Sequence, residues 1–339
     1  MNQRKAWLSA FWVLILLAGT PGVQSAAAQT CTMGPDLDPP VRAAIENAAH
    51  QNFQLASQGN TASLQQVAAP EFQGIASVVS GNPAAFSGTP MIHLTYLLDN
   101  SQQPSNKAFS GPPQQQGDAR VEFYCGIFNS PDRVGFVFPS LPQGRYAVVV
   151  QDVDNAKPPY LVSWILHEIG GQWKVAGLIT RPKIVAGHDG KWYWQQARNY
   201  RQKGQIRNAY LYYGMADQIL RPFDAMSTPG LDKLLDEWQG AVPPDFPVNG
   251  PIDLTAGPNT YRVTQIFALP VGEVLDVIVK YQVPDVSDSA KAYQDNMNVI
   301  KALVAKYPEL REAFNGVVAR AVAPSGQDYG TLLAMKDVK

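Results

Sequence analysis

The feature that most constrains the fold is a series of strand-type segments that begins at Arg120. The segments are rich in β-branched and aromatic residues, and turn residues separate them, which is typical of an antiparallel sheet. The last two are joined by Ile169-Gly170-Gly171, which predicts a tight hairpin. The segments read RVEFYCGIF, RVGFVF, GRYAVVVQDV, YLVSWILHEI and QWKVAGLI.

Two helices are predicted before these strands. Asp38 and the two prolines after it form a helix start, and apolar residues at helical spacing continue to Phe53. Gly59 supplies the stop, and Thr61 is expected to cap a short second helix that Pro70 closes. Helices followed by an antiparallel sheet predict an α+β fold rather than a doubly wound one.

The segments AAIENAAHQNFQLASQGNTASLQQVAAPEF and LVSWILHEIGGQWKVAGLI resemble the nuclear-transport-factor-two-like superfamily. This superfamily includes ketosteroid-isomerase-like and polyketide-cyclase-like members. The resemblance covers about residues 38–185, with a further strand predicted at 91–98. A Gln-, Ser- and Pro-rich stretch at 102–117 departs from it and predicts a long loop. The resemblance implies a cone-like, curled antiparallel sheet around an apolar cavity, and a dimer through the sheets.

An aromatic and basic run at 191–216, KWYWQQARNYRQKGQIRNAYLYYGMA, has helical spacing on both sides of Gly204. The positions that share a face are Tyr193, Ala197 and Tyr200 before the glycine, and Ala209, Tyr213 and Ala216 after it. The run resembles one tetratricopeptide-like helical hairpin, at about 190–223, with no second copy. Because a single hairpin cannot bury its own apolar face, we expect its aromatic residues to pack on a neighbouring part of the chain.

The basic residues of this hairpin offer a second interpretation. Arg198, Arg201 and Arg207 lie mainly off the apolar stripe, where solvated side chains are expected. They could instead form a surface for an acidic partner in the cell envelope. The formal net charge of −1 argues against nucleic acid as that partner.

A chain of 339 residues is too long for one typical core and predicts several domains. We expect a cone-like α+β domain at 29–186 and a helical hairpin followed by another helix at 187–240. A Pro-rich segment at 241–252 reads as an extended linker. The remaining residues, 253–339, predict a C-terminal ββαββ sandwich, for which no family resemblance is found.

The N-terminus predicts export. Residues 1–28 show the charged, apolar and small-residue order of a secretory signal peptide with cleavage after Ala28; an uncleaved anchor is the alternative. We therefore expect a periplasmic or secreted protein with no membrane span after cleavage. Cys31 and Cys125 are expected to form a disulfide there, for which the chain-entropy model gives roughly 4–5 kcal/mol. A lipidated Cys31 is the alternative, but the preceding residues lack the lipoprotein pattern.

Motifs for catalysis, for metal ions and for cofactors are not found in the sequence. If the strand at 160–168 faces a cavity of the kind that the resemblance implies, the polar residues inside would orient a ligand. His167, Ser163 and Tyr124 are the residues we expect to line that cavity. A hydrogen-bonded strand histidine without a ligand is the alternative for His167.

These observations predict a non-catalytic, exported binding or scaffold protein. Its partner would be a small apolar molecule or another protein of the cell envelope. Two alternatives stay open at this stage. One is an enzyme of the isomerase or cyclase kind with His167 as general base. The other is an envelope interaction module that uses the basic, aromatic hairpin.

Overall fold

The computed structural model describes residues 29–101, 120–127 and 130–339. The predicted signal peptide and the Gln-rich loop at 102–117 lie outside these residues. The described part of the chain is mixed α+β, with eight α-helices and several antiparallel sheets. No helix in the described ranges is long and apolar enough to cross a membrane.

Three helices pack on one face of the first sheet. The first, α1, begins directly after Asp38, as the two prolines predict, and buries Ile45, Ala49 and Phe53 at helical spacing. The second helix is capped by Asn60, whose side chain accepts a hydrogen bond from Ser63 N. The predicted cap, Thr61, is therefore the first helical residue instead. The helices are α1 (Pro39–Ser57), α2 (Thr61–Val67) and α3 (Ile75–Gly81).

The first sheet has five antiparallel strands in the order β1-β2-β5-β6-β7. Its predicted hairpin is confirmed, because Gly170 and Gly171 adopt the positive φ values of 60° and 77° that the tight turn between β6 and β7 requires. The strands are β1 (Thr30–Met33), β2 (Met91–Asp99), β5 (Arg145–Val153), β6 (Tyr160–Ile169) and β7 (Gln172–Pro182).

Alternation along β6 gives this sheet two apolar faces. Trp164 and its even-numbered neighbours pack against the helices, and Leu161 and Ile165 pack on the opposite side. On the helix side, Phe86 lies between Phe53 and Trp164, with ring centroids 5.6 and 6.4 Å apart. The space between helices and sheet is therefore filled by a side-chain core.

The opposite face is covered by a second, three-stranded sheet in the order β10-β4-β3. The disulfide between Cys31 and Cys125 is confirmed and joins β1 of the first sheet to β3 of the second. The strands of the second sheet are β3 (Val121–Cys125), β4 (Val134–Phe138) and β10 (Met226–Ser227). A short pair, β8 (Ile184–Val185) and β9 (His188–Asp189), leads into the helices that follow.

The aromatic run forms two helices, α4 (Gly190–Gln202) and α5 (Ile206–Leu220), which pack on each other. Gly204, with φ +77°, makes the turn between them. The six stripe positions that the spacing predicted are all buried. A third helix, α6 (Pro229–Gln239), begins at the cap residue Thr228, which accepts a hydrogen bond from Leu231 N.

The C-terminal part is a five-stranded sheet in the order β11-β12-β13-β14-β15. Only β13 and β14 are parallel, because two helices connect them, and the other pairs are antiparallel. The predicted order ββαββ lacked β11, which lies at the end of the predicted linker. The elements are β11 (Ile252–Ala256), β12 (Asn259–Val271), β13 (Val274–Gln282), α7 (Ser289–Lys306), α8 (Leu310–Ala313), β14 (Gly316–Val322) and β15 (Asp328–Ala334).

The Pro-rich segment at 241–252 is packed and does not form the extended, exposed linker that its composition suggested. Ala241 is 0% exposed and Phe246 is 4% exposed. Phe246 packs edge-on against Tyr210 of α5 and Tyr307 beyond α7, at centroid distances of 6.0 and 5.5 Å. The helical hairpin and the C-terminal sheet therefore share one continuous core.

Candidate functional site

The three residues that the sequence predicted to line a cavity lie in different environments. Ser163 is fully buried within β6, and Tyr124 is 55% exposed on β3 of the second sheet. His167 stacks on Tyr146 at 4.3 Å, and its Nδ1 lies 2.8 Å from a carboxylate oxygen of Glu71. These contacts hold His167 as a packed strand residue, and none of the three lines the groove described below.

The three hairpin arginines are engaged within the chain. Arg198 donates two hydrogen bonds, of 2.8 and 2.7 Å, to the carboxylate of Glu237. Arg201 donates to the carbonyl of Gly240 at 3.2 Å. The third residue, Arg207, forms ion pairs of 2.7 Å with Asp245 and with Glu309. Their charges tie the hairpin to α6 and to the C-terminal part.

A groove runs along β2, from the face of the first sheet that points away from α1–α3 to the first turn of α1. It consists of two adjoining depressions with volumes of about 490 and 320 Å³. Small-molecule sites usually measure about 300–1,000 Å³ and favour junctions between domains. Four residues line both depressions, and we call the whole the junction groove: His93, Leu94, Met226 and Thr228.

Distant parts of the chain meet at the junction groove. One wall comes from β2, and the other comes from β10 and the start of α6. The larger depression extends to the turn after β1, to Arg42 of α1 and to residues 131–134, where β4 begins. The smaller one extends to the start of α4 and to the end of α5, which Pro222 follows. The groove is therefore a junction between the N-terminal sheets and the helical hairpin.

The smaller depression is mainly apolar. Sheet residues form its floor, and the helices supply an indole and leucine side chains as its walls. A lining of this kind binds apolar bodies, because each apolar contact removes surface from water. Its apolar residues are Leu94, Val150, Leu161, Trp194, Leu220, Pro222, Met226 and Leu231.

Most of the charged residues that line the groove are basic. Arg42 is paired with Glu46 and Arg133 with Asp232, at 2.7 and 2.8 Å. Lys191, in the first turn of α4, forms no ion pair with any residue that the structure describes.

His93 occupies the middle of the groove because of a β-bulge. The register between β2 and β5 shifts between Ile92 and Leu94, which leaves His93 as the extra residue, and bulges re-aim side chains in this way. The His93 side chain is 58% exposed, and its Nδ1 lies 3.2 Å from an oxygen of Asp152. His93 lines both depressions of the groove.

Lys183 lies beside Asp152, the acid that contacts His93, and partly neutralises its charge. The ammonium of Lys183 hydrogen-bonds Asp152 at 2.7 Å and Asp154 at 2.6 Å. Burial works to lower the pKa of Lys183, but the hydrogen bonds and the negative charges of Asp152 and Asp154 together outweigh it and raise the pKa. Lys183 therefore stays charged and partly neutralises Asp152. Within the described ranges, no group of three His, Cys, Asp or Glu side chains could hold a metal ion.

Sequence reasoning missed the groove residues for a physical reason. His93 is one of four histidines and stands inside an ordinary strand pattern, MIHLTYLL. The bulge that exposes it depends on pairing with β5, more than fifty residues later in the chain. In the sequence, Lys191 is one of several basic residues in the aromatic run. Only the structure shows that the others are paired.

Comparison with known proteins gives no match to a protein-family model, to a curated protein or to a solved structure. The function must therefore be inferred from the chemistry of the groove.

Proposed function

We propose that this protein is an exported, non-catalytic binding protein that holds a small molecule with an apolar body in the junction groove. The observation that carries the proposal is an apolar depression with a few polar residues at its edge, placed between two parts of the molecule. Small-molecule sites combine an apolar lining with a few polar groups that fix the ligand's orientation.

Two further observations support export. The signal peptide predicted at residues 1–28 directs a chain out of the cytoplasm. The disulfide between Cys31 and Cys125 fits an oxidising compartment, where such bonds persist. The periplasm or the extracellular space is therefore part of the proposal.

Binding is favoured over the isomerase-type alternative by the position of His167. A general base must reach its substrate. The ring of His167 is stacked on Tyr146 and its Nδ1 is engaged by Glu71. The alternative of an envelope interaction module with a basic hairpin surface loses support because its three arginines already have acceptors within the chain.

The proposal includes a cone-like architecture for the N-terminal part and a sandwich for the C-terminal part. The resemblance to the nuclear-transport-factor-two-like superfamily likewise stays a prediction. The proposed site differs from a cavity between helices and sheet, because Phe53, Phe86 and Trp164 fill that space. The smaller depression of the groove lies on the opposite face of the same sheet.

Filling the groove tests the proposal. Leu94 lines both depressions, so Leu94→Trp should occupy the space that a ligand needs. With the neutral fluorescent probe N-phenylnaphthylamine, we expect saturable binding to the wild type and roughly tenfold weaker binding to the variant. The measurement is a fluorescence titration of the mature protein.

Leu269→Trp is the matched control, since Leu269 lies on β12, 42% exposed and far from the groove in the chain. It should bind the probe like the wild type. Circular dichroism and thermal unfolding of both variants establish that they are folded. Equal probe affinity in a folded Leu94→Trp protein would refute the proposal.

A further inference from the structure

Lys191 combines a charge that has no ion-pair partner among the described residues with a position beside an apolar depression. It lines the smaller depression together with Trp194 from the same helix. The other basic groups near the groove, Arg42, Arg133 and Lys183, each form an ion pair with an acid of the chain. The field of Lys191 is therefore available to a ligand.

The other polar residues of the smaller depression also favour a negatively charged ligand. The polar side chains among its described lining residues are His93, Lys191 and Thr228, and no Asp or Glu is among them. Asp152 lies behind His93, but its charge is shared with Lys183 at 2.7 Å. An apolar ligand body in this depression would thus place its polar end beside an ammonium group and an imidazole.

We propose that the ligand is an amphiphilic organic carboxylate, with its apolar chain on the floor of the smaller depression and its head group on Lys191 and His93. This inference rests on the proposed function and specifies its ligand class. One ammonium and one imidazole match the single negative charge of a carboxylate better than the two charges of a phosphate monoester. An ammonium head group would be repelled by Lys191.

Three probes of nearly equal chain length separate the head group from the body. Decanoate, decanol and decyltrimethylammonium are titrated into the full mature protein by calorimetry, below their micelle concentrations. We expect decanoate to bind at least roughly fivefold more tightly than decanol, the size of one partly exposed ion pair, and the cation to bind most weakly. Added salt should weaken decanoate binding and leave decanol binding unchanged.

Lys191→Gln tests the residue itself. The variant should lose the preference for decanoate over decanol and keep its affinity for decanol. Lys301→Gln is the matched control, because Lys301 is an exposed lysine on α7 that does not line the groove. It should keep the wild-type preference.

The outcomes distinguish this inference from the proposed function. If decanol and decanoate bind the wild type equally, or if Lys191→Gln keeps the preference, the inference is overturned while groove binding stands. If none of the three probes and no N-phenylnaphthylamine binds, the proposed function fails and the inference fails with it.

Discussion

At the scale of single residues, Glu237 shows how the polar side chains of the hairpin attach it to α6. Its carboxylate accepts hydrogen bonds from Arg198, from the Trp194 indole at 2.9 Å and from the Tyr213 hydroxyl at 3.3 Å. The hydrogen bonds from Arg198 are the largest cause that lowers the pKa of Glu237, from 4.5 to about 2. One acid on α6 thus holds both helices of the hairpin.

This arrangement predicts an acid-sensitive contribution to stability. Because the pKa of Glu237 is lowered on folding, its contribution is complete above pH 4.5 and is lost as the pH falls towards 2. Glu237→Gln should remove this pH dependence and destabilise the protein at neutral pH by about 1–3 kcal/mol, since Arg198 loses its charged acceptor. Urea unfolding at several pH values measures both effects.

Asp224→Asn is the control for this prediction. Asp224 pairs with Arg181, but its side chain is 91% exposed, so the substitution should change stability by less than about 0.5 kcal/mol. A Glu237→Gln protein with the wild-type pH profile would mean that Glu237 titrates normally.

At the scale of elements, the Pro-rich segment at 241–252 is the main departure from the sequence prediction. Proline and glycine indicate a break in regular structure, but they carry no information on whether the chain packs there. A single aromatic residue decides the matter, because Phe246 enters the space between Tyr210 and Tyr307. Arg207 also binds the neighbouring Asp245.

Truncation of that aromatic residue tests whether the segment belongs to the core. Phe246 is 4% exposed, so Phe246→Ala should lower the free energy of unfolding by roughly 3–5 kcal/mol through the cavity it leaves. Val248→Ala, at a site 41% exposed, should change it by less than about 0.5 kcal/mol. Chemical denaturation monitored by circular dichroism gives both values. Similar, small losses in the two variants would show a loosely attached segment.

At the scale of the whole molecule, the described residues form three cores, and these do not coincide with the three predicted units. Two lie on the faces of the first sheet, and the third runs from the helical hairpin into the C-terminal sheet. Tyr212 of α5 packs on Phe314 beyond α8 at 5.8 Å and donates a hydrogen bond to Ala313 O at 2.7 Å. The hairpin therefore finds its packing partner in the C-terminal part, as a single hairpin must.

Fragments test this shared core. A fragment of residues 184–339 keeps every residue of the third core and should unfold in one cooperative transition. A fragment of residues 253–339 exposes Tyr307 and Phe314 and should lack a cooperative transition. Denaturant unfolding followed by circular dichroism and by tyrosine fluorescence distinguishes the two. Cooperative unfolding of the shorter fragment, with equal stability, would show that the C-terminal sheet is independent of the hairpin.

Local patterns in the sequence were enough to predict the α+β class, the β6–β7 hairpin, the helical pair with its buried stripe and the disulfide. Each depends on residue spacing within one element, or, for the disulfide, on the presence of only two cysteines. The acceptors of Arg198 and Arg207 were not predictable, since they lie between 38 and 102 residues away.

The junction groove was decided only by the tertiary structure. Its lining residues come from β2, from the hairpin and from the start of α6, and no local pattern relates these segments. A strand's alternation states which residues share a face, but it does not state what covers that face. The bulge that places His93 in the groove and the pairing of the other basic residues, which leaves Lys191 without an ion pair in the described ranges, both arise from long-range contacts that form only when the chain is folded.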